Sequence, residues 1–151
     1  MSELDDLVFR PVQPEDQNAV KTLILNGLVD HWGTLDTTKN PDLNNIAESY
    51  AGAIFLVACD GDEIVATGAC IPRSERQAEI VRMSVKRELR RKGLGKRMLE
   101  NLLNQARRSG FEQIILETTE TWTDVIAFYQ QFGFKITHYQ DGDVYFSLDL
   151  N

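Results

Sequence analysis

Seven consecutive residues, Arg90-Arg91-Lys92-Gly93-Leu94-Gly95-Lys96, set four cations and two glycines just ahead of a helical pattern. A helix start leaves backbone N–H groups unpaired and carries partial positive charge, so it receives anions. Glycine lets a ligand approach that backbone with no Cβ in the way, and Arg and Lys at the rim pair with phosphate oxygens. The chemistry this spacing suits is a pyrophosphate cradle. The bland alternative is a solvated helix start preceded by loop glycines. Two other phosphate loops are excluded. The Gly-x4-Gly-Lys-Ser/Thr spacing is absent, and Met98 stands where the dinucleotide fingerprint needs a third glycine.

Charge sharpens the first reading. Lys86 to Arg97 holds seven basic residues and one acid, Glu88, for a net +6 in a chain of net −7, which leaves −13 elsewhere. A concentrated positive patch on an acidic body suits a local anion site. It does not suit a general nucleic-acid binder, since the remainder repels a phosphate backbone and the basic run has no interleaved aromatics. The 151 residues, 42% of them hydrophobic, fit one domain with one core, expected over 1–151. The longest apolar run, Ala51 to Cys59, is far short of a membrane span. Two cysteines, Cys59 and Cys70, make neither a disulfide framework nor a metal cluster, and the N-terminus is acidic, so a cytoplasmic location is expected.

The elements that must position the cradle follow from periodicity. Leu7 to Val12 predicts a strand. Pro14 with Glu15 and Asp16 opens a helix carrying Ala19, Val20, Leu23, Ile24 and Leu28. Gly27 to Thr38 reads as irregular, and Asn40-Pro41 as the start of a second helix ending near Gly52. Ile54–Cys59 and Glu63–Ile71 form a hairpin around Asp60-Gly61, and Ala78–Val85 is a further strand. Beyond the basic run come a helix from Leu94 to Ser109-Gly110, a strand Gln113–Thr118, and a helix through Tyr129 closed by Gly133. A hairpin of Phe134–Tyr139 and Val144–Leu150 ends the chain. The order βααβββαβαββ predicts a mixed, mostly antiparallel α/β sheet.

In this setting Arg90-x-x-Gly93-x-Gly95, after a strand ending Met83-Ser84-Val85, resembles the acetyl-CoA-binding motif of the GNAT family of N-acetyltransferases. The stretch Ile114-Ile115-Leu116-Glu117, then Ala127-Phe128-Tyr129-Gln130-Gln131-Phe132-Gly133-Phe134, is similar to that family's next strand and helix end. The resemblance is specific from about Glu79 to Phe134. It implies that Met83, Ser84 and Val85 offer backbone groups to the acetyl and pantetheine parts, on a strand splayed from its neighbour. It also implies that Arg90, Arg91, Lys92, Gly93, Leu94, Gly95 and Lys96 hold the pyrophosphate. The implied activity is transfer of an acetyl group to an amine by direct attack in a ternary complex, with no metal. The alternative is a catalytically silent acyl-CoA-binding or regulatory module of the same fold.

Acetyl transfer poses two proton problems. Neutralising an amine of pKa ~10.4 at pH 7.4 costs roughly 4 kcal/mol, whereas an α-amine near 8 costs under about 1 kcal/mol. A basic acceptor therefore needs a placed base. Glu117, at the end of an otherwise apolar strand, matches a glutamate that some relatives use through water; a plain strand-end carboxylate is the competing reading. Glu79 is the second candidate and His31, in a polar stretch, the third. Tyr129 matches the tyrosine that faces the CoA sulfur and can donate to the departing thiolate. It also shares an apolar helix face, and a buried ring with a hydroxyl at the site satisfies both readings. Trp122 replaces an asparagine found in many relatives. It either packs on the pantetheine arm or anchors its loop.

The cysteines read as core residues, which argues against an acyl-cysteine route. The resemblance places the acceptor between Asn26–Asn45, with Asp30, His31, Trp32 and Asp36, and His138–Asp143, with Asp141 and Asp143. An amine-bearing small molecule or a protein or peptide amine is the implied partner. Neither nucleic acid nor membrane is, and dimerisation through terminal strands is seen among relatives.

Overall fold

The computed structural model describes residues 6–32 and 40–150, without the side chains of 31 and 32. A short edge strand β1 (Val8–Pro11) leads through a 3-10 turn at Pro14–Asp16 into α1 (Gln17–Trp32). Asp16 closes that entry: its carboxylate accepts from Gln13 N at 2.7 Å and from Arg10 Nη1 at 2.7 Å. A second 3-10 turn, Pro41–Asn44, precedes the one-turn α2 (Ile46–Ser49). Strands β2 (Ile54–Asp60), β3 (Glu63–Pro72) and β4 (Gln77–Val85) follow as an antiparallel meander. Then come α3 (Leu94–Arg108), β5 (Gln113–Thr119), α4 (Thr123–Phe132), β6 (Lys135–Gln140) and β7 (Asp143–Asp149). The sheet order is β1-β2-β3-β4-β5-β7-β6. Among the described residues only β4 and β5 pair in parallel, which bears out the mixed, mostly antiparallel sheet.

The strands alternate inward sides with period two, so the sheet buries both faces. On one face α3 lays Leu94, Met98, Leu99, Leu102, Leu103 and Ala106 against Leu56, Ala66, Ile80, Ile114 and Leu116, with Tyr129, Phe134 and Phe146 extending the cluster. On the other, Val20, Ile24, Leu43 and Ile46 cover Phe55, Val57 and Ala69. Cys70 lies in the first cluster and Cys59 in the second, both buried and free, so both are core residues as expected.

Two expectations are corrected. The stretch from Gly27 was read as irregular, but the helix runs on to Trp32. Gly27 is accommodated there by close packing on β4: a Cβ would come within 3.1 Å of Ser84 Oγ, so tertiary contact overrides the cost of a helical glycine. The remainder of that stretch, residues 33–39, lies outside the described residues. The helix expected from Asn40 forms only at Ile46, and Asn45, rather than Asn40, is its cap, its Oδ1 accepting from Glu48 N at 3.3 Å. The Asn40 side chain accepts from Arg82 instead.

Candidate active site

Strands β4 and β5 are zipped at three positions only, Gln77↔Gln113, Ala78↔Ile114 and Glu79↔Ile115. Beyond Glu79 they part, while β5 stays paired with β7 as far as Thr119. On its other side β4 carries a bulge. Thr67 faces Ser84 and Ala69 faces Val81, so Arg82 and Met83 together oppose the single residue Gly68. Arg82 takes a left-handed φ of 55°, a conformation that costs a side-chain-bearing residue about 1–2 kcal/mol. The buried Thr67 hydroxyl donates to the Arg82 carbonyl at 2.8 Å and helps hold it there. Gly68 leaves room opposite: a Cβ would sit 2.7 Å from Leu102 Cδ1 and 2.8 Å from Met83 Sδ, so those side chains would have to shift.

The parted strands open a cavity of about 830 Å³. Met83, Ser84 and Val85 line one wall, Leu116, Glu117 and Thr118 the other, and Phe128 and Tyr129 of α4 the floor. Its far end is the start of α3. Gly93, at φ 85°, is the N-cap and provides no side-chain hydrogen bond. The first backbone bond of the helix runs from Arg97 N to Gly93 O at 3.1 Å, so the N–H groups of Leu94, Gly95 and Lys96 precede it and are open to an anion. A Cβ on Gly95 would reach 3.5 Å from the Phe128 ring and 3.8 Å from Val85 Cγ2.

The expected cofactor residues divide by what their side chains do. Arg91, Gly93, Gly95 and Lys96 line the cavity. Leu94 is buried in the core, leaving only its backbone to the site. Arg90 borders the cavity but is engaged as a brace: Nε donates to Val85 O at 3.1 Å, and Nη2 lies 3.0 Å from Asp30 Oδ2. Lys92 is exposed and off the cavity wall.

Tyr129 is 7% exposed, its ring packed edge-on against Phe128 at 5.1 Å and Phe134 at 5.7 Å. Burial drives its phenol well above the usual range, so it keeps its proton at any physiological pH. It is core by its ring, and it also lines the cavity. Glu117 is exposed on the face opposite the buried Ile114, Leu116 and Thr118, and it lines the same cavity. Its register partner is Tyr145, whose phenol is raised first by a hydrogen bond to Glu117, then by burial and by the charges of Glu117, Asp143 and Asp141. His138 stacks on Tyr145 with ring centroids 4.3 Å apart.

Other candidates are placed elsewhere. Glu79 sits at the last zipped position, off the cavity wall, held by Arg73 Nη2 at 2.6 Å. The His31 side chain, the Trp32 side chain and Asp36 fall outside the described residues. Trp122 lines the cavity and stands at the N-cap of α4, where its carbonyl accepts from Ile126 N at 3.0 Å. Asp30, expected on the acceptor side, is paired with Arg90. Sequence reasoning missed Arg82, Gly68 and Tyr145. An arginine inside the apolar run Ile80-Val81-Arg82-Met83 was the available signal for the first.

Comparison with known proteins agrees with this geometry. The sequence pattern of the acetyltransferase (GNAT) family matches residues 22–134. N-acetyltransferase 8B of Homo sapiens is 28% identical over 111 residues, 68% of this chain and 49% of that protein. The chain thus spans about half the length of such relatives. An uncharacterised N-acetyltransferase of Escherichia coli, YjgM, is 28% identical over 89% of this chain and 86% of its own. Among solved structures, the PaiA N-acetyltransferase of Thermoplasma acidophilum, in complex with coenzyme A, superposes with a TM-score of 0.84. It is 18% identical and covers 99% of each chain.

Proposed function

The chain belongs to the acetyltransferase (GNAT) family, and from that premise we propose that it moves an acetyl group from acetyl-CoA to a primary amine by direct attack in a ternary complex. The observation that carries the reading is the parting of β4 from β5, which joins an amide cradle at one end of a cavity to Tyr129 and Glu117 along its walls. The residues fit the coenzyme. Arg91, Lys96 and the amides of Leu94–Lys96 suit a pyrophosphate, and the edge of β4 at Met83–Val85, which has no strand beside it although Arg90 holds the Val85 carbonyl, suits an amide-bearing arm. When bound, acetyl-CoA supplies a thioester carbonyl open to attack by a neutral amine.

The chain's own groups manage the protons. Glu117, exposed on the cavity wall, takes the amine proton directly or through water. The Tyr129 hydroxyl, held neutral by burial, donates toward the departing sulfur. An acyl-cysteine route is disfavoured: Cys59 and Cys70 are absent from the cavity wall, and burial pushes the Cys70 thiol up to about 11. Among the described residues, Glu117 and Asp124 line the cavity without an ion pair, and Asp141 and Asp143 lie near Tyr145 likewise unpaired, whereas Asp30 and Asp42 are paired with arginines. A cationic acceptor therefore approaches between α4 and the β5–β7 side. A cytoplasmic location, with the acceptor amine as partner, completes the proposal.

The test is thiol release from acetyl-CoA with polyamines, amino acids, aminoglycosides and peptide N-termini, each checked for an acetylated product. Release matched one-for-one by acetylated amine supports the reading. Tight acetyl-CoA binding with no release across the panel favours the silent binding module instead.

A further inference from the structure

Arg82 lines the cavity, yet its charge is already committed. Its guanidinium donates to Asp42 Oδ1 at 2.6 Å, Asp42 Oδ2 at 3.0 Å and Asn40 Oδ1 at 3.1 Å. The Tyr50 hydroxyl donates to the same carboxylate at 2.5 Å. Only 18% of the Arg82 side chain and 29% of the Asp42 side chain are exposed. Burial opposes both charges, but the hydrogen bonds outweigh it, leaving the Asp42 carboxyl below and the Arg82 guanidinium above their ordinary ranges. Tyr50, raised to about 12 by burial and by Asp42, stays a donor.

A forked guanidinium–carboxylate pair fixes orientation as well as charge. Here it fixes a residue that needs fixing. A left-handed arginine persists only where its surroundings over-determine it. Thr67 grips the Arg82 carbonyl from β3, while Asp42 and Asn40 grip its side chain and the Tyr50 hydroxyl holds Asp42. The cradle at Gly93–Lys96 belongs to a different element and shares none of these contacts.

We infer that Arg82 is a positioning residue: the Asp42–Arg82 clamp, steadied by Tyr50, holds the β4 bulge and so sets the free edge Met83–Val85 for the arm of the coenzyme. The inference rests on the acetyl-CoA reading above. It predicts that breaking the clamp separates two parts of one ligand. Affinity for the arm is lost, and affinity for the phosphate end is kept.

Titration calorimetry on the full chain with two probes reads this directly. The probes are acetyl-CoA and 3′-phospho-ADP, which is the coenzyme without its pantetheine arm. Arg82→Gln and Asp42→Asn are expected to weaken acetyl-CoA roughly tenfold, with 3′-phospho-ADP kept within about twofold. Arg82→Lys, which retains charge but loses the fork, is expected to fall between. Tyr50→Phe removes one hydrogen bond, keeps the ion pair, and covers the case in which the stronger variants do not fold. It is expected to weaken acetyl-CoA by roughly threefold, again without moving the fragment. Parallel loss of both probes, or unchanged acetyl-CoA affinity in a folded variant, overturns the inference. If wild type binds 3′-phospho-ADP but gains nothing from the arm, the inference falls while the cradle stands. If wild type binds neither probe, the acetyl-CoA reading fails first and takes the inference with it.

Discussion

Over Gln77–Glu79, strand β4 is sealed on both sides: Ala78 is fully buried, Gln77 Nε2 donates to Gln113 Oε1 at 2.8 Å, and Glu79 is held by Arg73. From Ile80 onward the same strand keeps β3 and loses β5. Its neighbours there are a bulge, an aromatic floor and a glycine-capped helix start. The two halves differ in whether the edge that faces β5 has a strand beside it. Buried N–H and C=O groups are seldom left unpaired, so a half-strand opening onto a cavity is a place for a ligand with amides of its own.

Tyr129→Phe should break the open half's chemistry without disturbing its shape. The ring contacts survive, so acetyl-CoA affinity should hold while kcat falls roughly a hundredfold or more. Steady-state kinetics beside calorimetry checks the split, and an unchanged kcat removes the acid role. Arg91→Glu should do the reverse, weakening acetyl-CoA by roughly ten- to a hundredfold with kcat at saturation little changed. Lys92→Glu sharpens this, since Lys92 lies off the cavity wall and its reversal should cost clearly less.

Glu117→Gln should slow a strongly basic acceptor by roughly tenfold and an α-amine much less, because only the first needs help losing its proton. A pH–rate profile for each acceptor class is the check. The smallest effect is expected far from the open half. Asp16 is held below the usual carboxylate range by the Arg10 hydrogen bond, against an opposing contribution from burial. A carboxyl lowered by folding contributes stability that is present above its unfolded pKa and lost as pH falls through its folded one. Asp16→Asn should therefore cost about 1–2 kcal/mol near pH 7. The gap to wild type should close below about pH 4 in chemical denaturation, while acetyl-CoA affinity stays unchanged.

Much of this was legible before any coordinates. The placing of Arg91, Gly93, Gly95 and Lys96 on one cavity wall was legible in composition and spacing, since a helix start that can receive an anion is a local device. Tyr129 came from its place in a longer motif and from an apolar face that periodicity shows. Arg82 was harder to read because a bulge shifts the alternation of the strand, and its partners Asn40 and Asp42 lie some forty positions earlier in the chain. Arg90 was expected at the pyrophosphate because it heads the Arg90-x-x-Gly93-x-Gly95 motif. Only folding brings Asp30 of α1 and the Val85 carbonyl against it. The continuation of α1 past Gly27 was hidden for a similar reason, because the cost of a helical glycine is local and the contact that offsets it is not.

Amide hydrogen exchange with and without acetyl-CoA tests the division of β4 most directly. The account predicts new protection at Met83–Val85 and at Leu94–Lys96, with Gln77–Glu79 unchanged. Protection spread evenly along the strand, or none at the start of α3, would contradict it.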